Sequence, residues 1–485
     1  MRTKVISSRA VIEKTTTNAP AKVIIRGGGE IGFTTLELAM LRPKAEHPID
    51  IHLITRAKYA DEPWTDKFWI KAMDSSADFA SRSNYSYARI IKGINVISRN
   101  DDGSMDIVFD SDYGRKALPA RLHFEKDGTD IKMLPPLLAA GNPAMMIDAT
   151  GQVKYEFMQG YLQYPGLLTI GTAPGKNIPK GTEIPHMLFG VNMGNNIPQN
   201  KWLNLASATN PTTAALLYTG SCTTHGGTVL LRALAKNIDG FEIISGNLSS
   251  IHSRTPSDLL EQLDLNFAPQ STGFAKAAKV VANDIAGVAN IDAYAVRANV
   301  AGSSFYTLTM NVKAKEILTK ENLLAKLQKE AEGPMSEQLA IISQSALAAH
   351  NKKNFSINSA MGMKGLLQTA IIDPDMLTVK DNGDGTYQIN FKVVYYDNVG
   401  GFTHELLMEA SEVANQKWDL AGQIFSPGNI WDYNRIFSFF NNPDNPNVQE
   451  RFGTSQARWD KIASAVEGEK NKGLLIGQPE NFVRM

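Results

Sequence analysis

The chain has 485 residues, of which 43% are hydrophobic and 20% charged, so it can bury two or three domain cores and is not intrinsically disordered. Its 49 basic and 49 acidic residues give a formal net charge of zero, which argues against binding to nucleic acid through bulk electrostatics. The single cysteine excludes an intramolecular disulfide and a multi-cysteine zinc site, and it suits a reducing compartment. The sequence contains no apolar run of the roughly eighteen residues that would predict a transmembrane helix. We therefore expect a cytoplasmic protein with no metal, no membrane and no nucleic-acid partner, and residues 1–20 lack the apolar core of a secretory signal.

The first predicted unit is a strand, a glycine-rich turn, a helix and a second strand. The strands are expected at residues 23–25 and 49–54, and the helix at 33–41. Later strands are expected at 105–109, 145–147 and 167–170, and the last two run into turns of small residues that contain Thr150 and Thr172. Parallel strands that end in such turns at one edge form a cofactor cleft. We therefore predict an α/β, Rossmann-type dinucleotide-binding domain over residues 21–221.

The second half of the chain has a different pattern. A helix is expected at 229–236, and the string Asp381-Asn382-Gly383-Asp384-Gly385 predicts a hairpin turn. Residues 222–395 are therefore assigned to an α+β catalytic domain with a mixed or antiparallel sheet, and residues 396–485 to a C-terminal helix that returns to the cofactor domain, with an extension. The stretch 206–218 and the tail 411–485 receive no role. The strands predicted for this half lie at 241–244, 293–296, 306–312 and 387–396.

The glycine-rich turn predicts dinucleotide binding. Gly27, Gly29 and Gly32 satisfy the G-x-G-x-x-G pattern between a strand and a helix, which permits a tight turn, close approach of a pyrophosphate and close packing. Arg56 follows the second predicted strand, where an acidic residue would favour NAD and a cation favours the 2′-phosphate of NADP. NADP is thus the first choice and NAD the alternative. A glycine loop without a ligand and a solvated Arg56 are the simpler readings.

The lone cysteine, Cys222, is a candidate nucleophile. Ser221 is a plausible helix N-cap, which would place the sulfur in the first helical turn, where free N–H groups lower a thiol pKa. A thiolate needs a base, and His252 could reach it from the end of a strand and loop, whereas the neighbouring His225 should point elsewhere. The simpler alternative is a small buried hydrophobic residue.

Several short strings, in collinear order, resemble the phosphorylating glyceraldehyde-3-phosphate dehydrogenases. The family's active-site Ser-Cys-Thr-Thr-Asn is similar to Ser221-Cys222-Thr223-Thr224-His225, and its Tyr-Asp-Asn-Glu-Phe-Gly-Tyr is similar to residues 396–402. The resemblance covers about residues 21–410. Further strings that resemble the family are Asp148-Ala149-Thr150-Gly151, Thr172-Ala173-Pro174, His252-Ser253-Arg254-Thr255, Ser271-Thr272-Gly273-Phe274-Ala275-Lys276 and Arg297-Ala298-Asn299.

The resemblance implies a reaction and a role for each matching residue. The thiolate of Cys222 would add to an aldehyde with His252 as base, hydride would pass to the nicotinamide, and inorganic phosphate would release an acyl phosphate. The resemblance also implies a homo-oligomer. The implied substrate and phosphate ligands are Ser221, Thr223, Thr255, Arg297, Thr272 and Gly273, and the implied cofactor contacts are Glu30, Ile31 and Asn398.

Some positions depart from the family pattern, and they keep other functions open. The family has arginine where Glu30 stands, an acid where Arg56 stands and asparagine where His225 stands, and its loop between His252 and Thr272 is longer. Besides a dehydrogenase for glyceraldehyde 3-phosphate, the alternatives are an enzyme for a related phospho-aldehyde or semialdehyde, and a binding module that keeps the fold without catalysis. Thr272-Gly273 could also simply cap a helix.

Overall fold

The computed structural model describes residues 21–28, 30–41, 49–56, 91–111, 118–125, 134–138, 144–151, 153–182, 184–193, 214–252, 268–270, 272–298, 303–342, 368–396 and 400–418. Within these ranges two sheets lie in chain order. The α/β class, with a Rossmann-type domain followed by an α+β domain, is confirmed.

The first sheet contains nine strands and is mainly parallel. Its strand order is β3-β4-β5-β2-β1-β6-β7-β9-β8, and only the pairs β3–β4 and β4–β5 are antiparallel. The order in which strands are added to the sheet reverses between β1 and β6, which are parallel neighbours. Sheets of this kind bind ligands at such a switch point. The strands are β1 Ala21–Arg26, β2 Ile49–Arg56, β3 Ile91–Arg99, β4 Met105–Ser111, β5 Ala120–Glu125, β6 Ala144–Asp148, β7 Leu167–Gly171, β8 His186–Met187 and β9 Ala215–Thr219.

The central strands of this sheet are apolar because both of their faces are covered. Val23, Ile24 and Ile25 in β1 are fully buried, as are the apolar side chains of β6. Helix α1 (Glu30–Leu41) follows β1, and the shorter helices α2 (Leu134–Leu138) and α3 (Tyr155–Met158) lie between later strands.

The second sheet contains eight strands and is mixed. The order is β11-β12-β10-β13-β17-β15-β14, with β16 beside β17, and β10 pairs in parallel with β12 but antiparallel with β13. The helices of this part are α4 (Cys222–Asn237), α5 (Phe274–Val281) and α6 (Lys320–Glu332). The strands are β10 Glu242–His252, β11 Ala268–Gln270, β12 Ile291–Arg297, β13 Ser303–Lys313, β14 Leu339–Ile341, β15 Ala370–Ile372, β16 Thr378–Asp381 and β17 Thr386–Tyr396.

The last described helix, α7 (Gly400–Trp418), connects the two halves of the molecule. It packs against α1, the helix that follows the glycine-rich turn, and also contacts β6. This helix thus lies beside the first sheet, whereas the predicted C-terminal unit that begins at residue 396 stays a prediction. Among the described helices, none is both long and apolar enough to cross a membrane.

Two strands differ from the sequence prediction in a way that bears on the site. The strand predicted at 241–244 is β10, which continues to His252, so His252 ends a strand rather than following a loop. The polar residues at 245–249 look like a loop in the sequence, but one face of β10 is open to solvent and accepts them. Residues 206–218, which received no role, contain most of β9.

Candidate active site

Cys222 lies at the start of α4, the helix that follows the last long strand of the first sheet. Ser221 is the N-cap, with an extended backbone, and its Oγ accepts a hydrogen bond from Thr224 N at 3.2 Å. The predicted cap and the position of Cys222 in the first helical turn are therefore confirmed. The Ser221 cap satisfies only one of the N–H groups that have no partner within the helix, so the first turn remains a suitable place for an anionic sulfur.

The second sheet brings His252 and Arg297 to this sulfur. His252 ends β10 and Arg297 ends β12, and the two residues are register partners in the parallel pair. His252 Nε2 lies 3.3 Å from Cys222 Sγ, and Arg297 Nη1 lies 3.1 Å from His252 Nδ1. The candidate nucleophile, the candidate base and the predicted phosphate ligand thus form one contiguous row.

The row determines where the imidazole proton lies. A guanidinium nitrogen can only donate, so Arg297 makes Nδ1 of His252 the acceptor. A neutral imidazole then carries its proton on Nε2, which faces Cys222 Sγ. In this arrangement His252 presents an N–H donor to the sulfur, and an imidazolium can form only if Arg297 moves away from Nδ1.

The thiol pKa differs from the sequence expectation. Burial raises the pKa of the Cys222 thiol, and this effect exceeds the lowering by the Thr223 hydrogen bonds and the Arg297 charge. The N–H groups of Thr223 and Cys222 at the helix terminus do lower the pKa of the thiol, as expected, but burial outweighs them. Cys222 also packs partly against the hydrophobic core of the second domain, which is the source of the desolvation.

Arg297 should control how readily Cys222 is alkylated. Replacing Arg297 with Gln keeps a donor for Nδ1 but removes the positive charge, so the pKa of the Cys222 thiol should rise further. We expect alkylation by iodoacetamide at pH 8 to slow about threefold to tenfold, and the wild-type rate to keep increasing above pH 9. Arg297→Lys keeps the charge and serves as the control. Equal rates in the Gln and Lys variants would contradict this account.

A buried tyrosine, Tyr395, contacts polar side chains that lie next to Cys222 and His252. Its hydroxyl contacts Ser250 Oγ and accepts a hydrogen bond from Thr223 Oγ1 at 3.3 Å, and its ring lies edge-on to His252 with centroids 6.1 Å apart. Burial raises the pKa of Tyr395 well above its ordinary value, so it stays neutral. The sequence reasoning missed this residue, although it immediately precedes the string that resembles the family at 396–402.

The edge between β1 and β6 has the shape of a phosphate-binding turn. Gly27 has a φ of +105°, and a Cβ there would lie 2.9 Å from Ala149 C. A Cβ on Gly32 would lie 1.8 Å from Gly27 O. Gly27 N donates to Ile54 O at 2.8 Å, which fixes the turn against β2. These contacts are the close approaches that the G-x-G-x-x-G pattern predicts.

A buried ion pair that the sequence reasoning missed lies directly behind this edge. Arg26 Nη1 is 3.3 Å from Asp148 Oδ2, and Tyr161 Oη donates to the same oxygen at 2.7 Å. Asp148 Oδ1 in turn accepts from Thr150 N at 3.0 Å. The pair joins the ends of β1 and β6, so it fixes the loop that carries the predicted cofactor contact Thr150. Thr172, the other predicted contact from a strand end, donates its N–H to Asp148 O at 3.2 Å.

The remaining predicted site residues divide into three groups. Ser221 and Thr223 lie on either side of Cys222 in the capped turn. Thr272 Oγ1 accepts from Phe274 N at 3.2 Å, next to Gly273 at the N-cap of α5, so the helix-capping alternative describes an interaction that is present. The backbone places Glu30 and Ile31 at the start of α1. Arg56 ends β2 and is the register partner of Glu125 in the parallel strand β5. Gly29, Thr255 and Asn398 lie outside the described residues.

The fold and the site together define a class of two-domain protein. A Rossmann-type domain leads through a two-residue connection into a helix that begins with a cysteine, and a mixed sheet supplies the histidine partner. Residues 221–366 match the sequence model of the glyceraldehyde 3-phosphate dehydrogenase C-terminal domain. With the relatives described next, this match shows that the chain is similar to the glyceraldehyde 3-phosphate dehydrogenase family, most clearly over this C-terminal domain.

Three curated relatives illustrate the divergence. The chain is 26% identical over 288 residues to glyceraldehyde-3-phosphate dehydrogenase B, chloroplastic, of Pisum sativum, and the match covers 56% of this chain and 54% of the relative. The identity, aligned length and coverage are the same for glyceraldehyde-3-phosphate dehydrogenase GAPB, chloroplastic, of Arabidopsis thaliana. Glyceraldehyde-3-phosphate dehydrogenase A, chloroplastic, of Chlamydomonas reinhardtii is 24% identical over 355 residues, with 67% of this chain and 83% of the relative covered. The chain thus spans about half the length of the first two relatives.

Proposed function

We propose that the protein is an NAD(P)-dependent, phosphorylating aldehyde dehydrogenase that oxidises glyceraldehyde 3-phosphate to an acyl phosphate. The observation that carries the proposal is the 3.3 Å contact between Cys222 Sγ and His252 Nε2 at a capped helix start, with Arg297 behind the imidazole. A cysteine kept only for packing would need neither the imidazole nor the cation. The similarity of residues 221–366 to the glyceraldehyde 3-phosphate dehydrogenase C-terminal domain supports the same class of reaction.

In the proposed reaction the residues of this chain handle one bond and one proton at a time. Once Arg297 has left Nδ1, the imidazole proton can lie there, and His252 Nε2 accepts the proton of the Cys222 thiol as the sulfur bonds to the aldehyde carbon. The imidazolium then gives this proton to the developing oxyanion, which becomes a hydroxyl. His252 Nε2 takes the hydroxyl proton back as hydride leaves the carbon, and a thioester remains on Cys222. Phosphate attack on that thioester releases the acyl phosphate, and the departing sulfur recovers its proton from His252.

Arg297 has two positions in this scheme. In the described site it donates to His252 Nδ1, which opposes formation of the imidazolium. A phosphate group on the substrate offers Arg297 a bidentate anionic partner instead. Binding of a phosphorylated aldehyde would therefore release Nδ1 and allow His252 to accept a proton. Thr255 is the proposed partner of Arg297 for that phosphate, and Thr272 with Gly273 the proposed site for the attacking phosphate.

A nicotinamide dinucleotide fits the edge between β1 and β6. The tight turn at Gly27 and Gly32 brings the start of α1 to the ends of β1 and β6, and a helix N-terminus there favours the charge of a pyrophosphate. When bound, the dinucleotide supplies the hydride acceptor. The residues proposed to hold it are Gly27, Gly29, Glu30, Ile31, Gly32, Arg56, Thr150, Thr172 and Asn398.

The choice of dinucleotide should depend on Arg56, at the end of β2. If Arg56 binds a 2′-phosphate, Arg56→Asp should lower kcat/KM for NADP by about tenfold to a hundredfold and improve use of NAD. Parallel saturation curves with both dinucleotides measure this shift. Arg121→Asp provides a surface-charge control, because Arg121 is paired with Asp106 on an exposed part of the same sheet. An unchanged preference in Arg56→Asp would remove Arg56 from the cofactor site.

The proposed function is tested by a direct reduction assay. Reduced, folded protein is mixed with glyceraldehyde 3-phosphate and inorganic phosphate, with NAD and NADP in parallel, and nicotinamide absorbance is followed. Phosphate-dependent reduction supports the proposal, and comparison with erythrose 4-phosphate and a semialdehyde tests the alternative substrates. No reduction with any of these, while a dinucleotide still binds, would favour a binding module that keeps the fold. We also propose a homo-oligomer, which light scattering tests.

A further inference from the structure

His225, the residue that replaces asparagine in the active-site string, lies in a completely buried acidic cluster. Its Nδ1 contacts Glu405 Oε2, and its Nε2 lies 2.9 Å from Thr219 Oγ1 and 3.7 Å from Glu409 Oε1. The side chains of His225 and Glu405 are 0% exposed and that of Glu409 is 1% exposed. None of these groups faces Cys222 in the row described above, so the proposed reaction does not use them.

The cluster joins elements from both halves of the molecule. Glu405 and Glu409 belong to α7, whereas His225 belongs to the first turns of α4. Thr219 ends β9 of the first sheet, and the N–H of Phe189, which follows β8, donates to Glu409 Oε1 at 3.0 Å. On the other side, Thr369 Oγ1 donates to Glu405 Oε1, immediately before β15 of the second sheet. Helices α4 and α7 and both sheets therefore meet at this acidic cluster.

The charges in the cluster balance only if it retains an extra proton. A protonated His225 with two ionised carboxylates would leave one net negative charge without access to water, which is costly. The groups that face Glu409 are His225, Glu405, the Thr219 hydroxyl and the Phe189 N–H. Its Oε2 has no hydrogen-bond partner among the described residues, so an ionised oxygen there would lack a donor. Burial raises the pKa of Glu409 to about 8.

We propose that His225, Glu405 and Glu409 are positioning residues that clamp α7 to α4 around a shared proton, and that this clamp weakens as pH rises. Since α7 packs against α1, the clamp also fixes the helix that follows the glycine-rich turn relative to Cys222. The inference rests on the proposed function only where it treats α1 as the cofactor helix. The family's asparagine could not form this ionic contact, so the clamp is specific to chains with this substitution.

The direction of the pH dependence follows from the two raised pKa values. Burial alone would lower the pKa of His225, but Glu405 and Glu409 raise it above its ordinary value, and burial raises that of Glu409. Groups with raised native pKa values hold protons that the opened state releases, so opening becomes easier as pH rises. For Glu409 the stabilisation is complete below the ordinary glutamate pKa of 4.5 and is lost progressively up to about pH 8.

Hydrogen exchange on the protein without ligands tests the clamp. Protection of the α7 and α1 amides, corrected for intrinsic exchange, is measured from pH 6 to 8.5. In the wild type we expect the opening of both helices to increase by up to about tenfold per pH unit as pH approaches 8. Glu409→Gln should flatten this dependence in both helices. Glu330→Gln removes a carboxylate 2.9 Å from Lys236 at the other end of α4, and this control should keep the wild-type slope.

Each outcome of the experiment decides a different part of the proposal. A flat wild-type profile in α7, which needs no variant, would overturn the clamp, and so would a wild-type slope in Glu409→Gln. If hydrogen exchange depended on pH in α7 but not in α1, the positioning role would be overturned, because the effect of the cluster would then be confined to α7. Should Glu409→Gln fail to fold, His225→Asn provides the same test of the slope. Slopes as expected in a protein that reduces no dinucleotide would overturn the proposed function and leave the clamp intact.

Discussion

Cys222→Ser should abolish turnover of the proposed aldehyde substrate, with a loss of at least about 10⁴-fold in kcat. A serine hydroxyl is far less acidic than a thiol and stays protonated near neutral pH, so it cannot replace the sulfur nucleophile even with His252 beside it. The fold should tolerate the change, since position 222 is a partly buried first helical residue capped by Ser221. Stopped-flow measurement of a single turnover separates the chemical step from product release.

The single thiol makes this experiment unusually clean. With Cys222 replaced, iodoacetamide should add no label at all, so mass spectrometry verifies the loss of the nucleophile directly. The affinity for the dinucleotide, measured by fluorescence titration, should stay within about twofold and serves as the control for folding. Substantial turnover by this variant would refute the covalent reaction while leaving the similarity to the family untouched.

Gly32→Ala should have the largest effect on the cofactor side. A Cβ at this position would lie 1.8 Å from Gly27 O, and Gly27 cannot withdraw because its N–H is bonded to Ile54 O at 2.8 Å. The turn or α1 must therefore move, which we expect to cost about 3 kcal/mol of unfolding free energy and at least tenfold in dinucleotide affinity. Urea unfolding and fluorescence titration measure the two losses.

Gly160→Ala is the matched control for that prediction. Gly160 lies in the same domain, and a Cβ there would meet no atom within 4 Å. Its unfolding free energy should change by less than about 0.5 kcal/mol, and dinucleotide affinity should not change. If Gly32→Ala behaved like Gly160→Ala, the glycine turn would not have the tight geometry described above.

The sequence was sufficient to predict the local features that depend on neighbouring residues. The glycine turn, the Ser221 cap and the hairpin at 381–385 are each specified by a few adjacent residues, and the structure places all three as expected. The contact between Cys222 and His252 was also anticipated, because ordered strand ends bring distant residues to one edge.

Features that depend on tertiary surroundings could not be predicted from the sequence. Burial reverses the expected direction of the Cys222 pKa, and no sequence pattern reports how much water reaches a sulfur. Glu405 and Glu409 have the four-residue spacing typical of a solvated helix face, yet both are buried beside His225. The Arg26–Asp148 pair joins strand ends separated by 122 positions, and each residue alone looks like an ordinary charged strand end.

The short connection between the first sheet and the nucleophile has a mechanical consequence. Only Gly220 and Ser221 separate Thr219, at the end of β9, from Cys222, so the two Cα atoms can never be more than about 11 Å apart. Any rotation of the second sheet relative to the first must therefore pivot close to Cys222. The sulfur stays near the axis of such a rotation and travels least, and His252 and Arg297 keep their places beside it, because their strands share one core with α4.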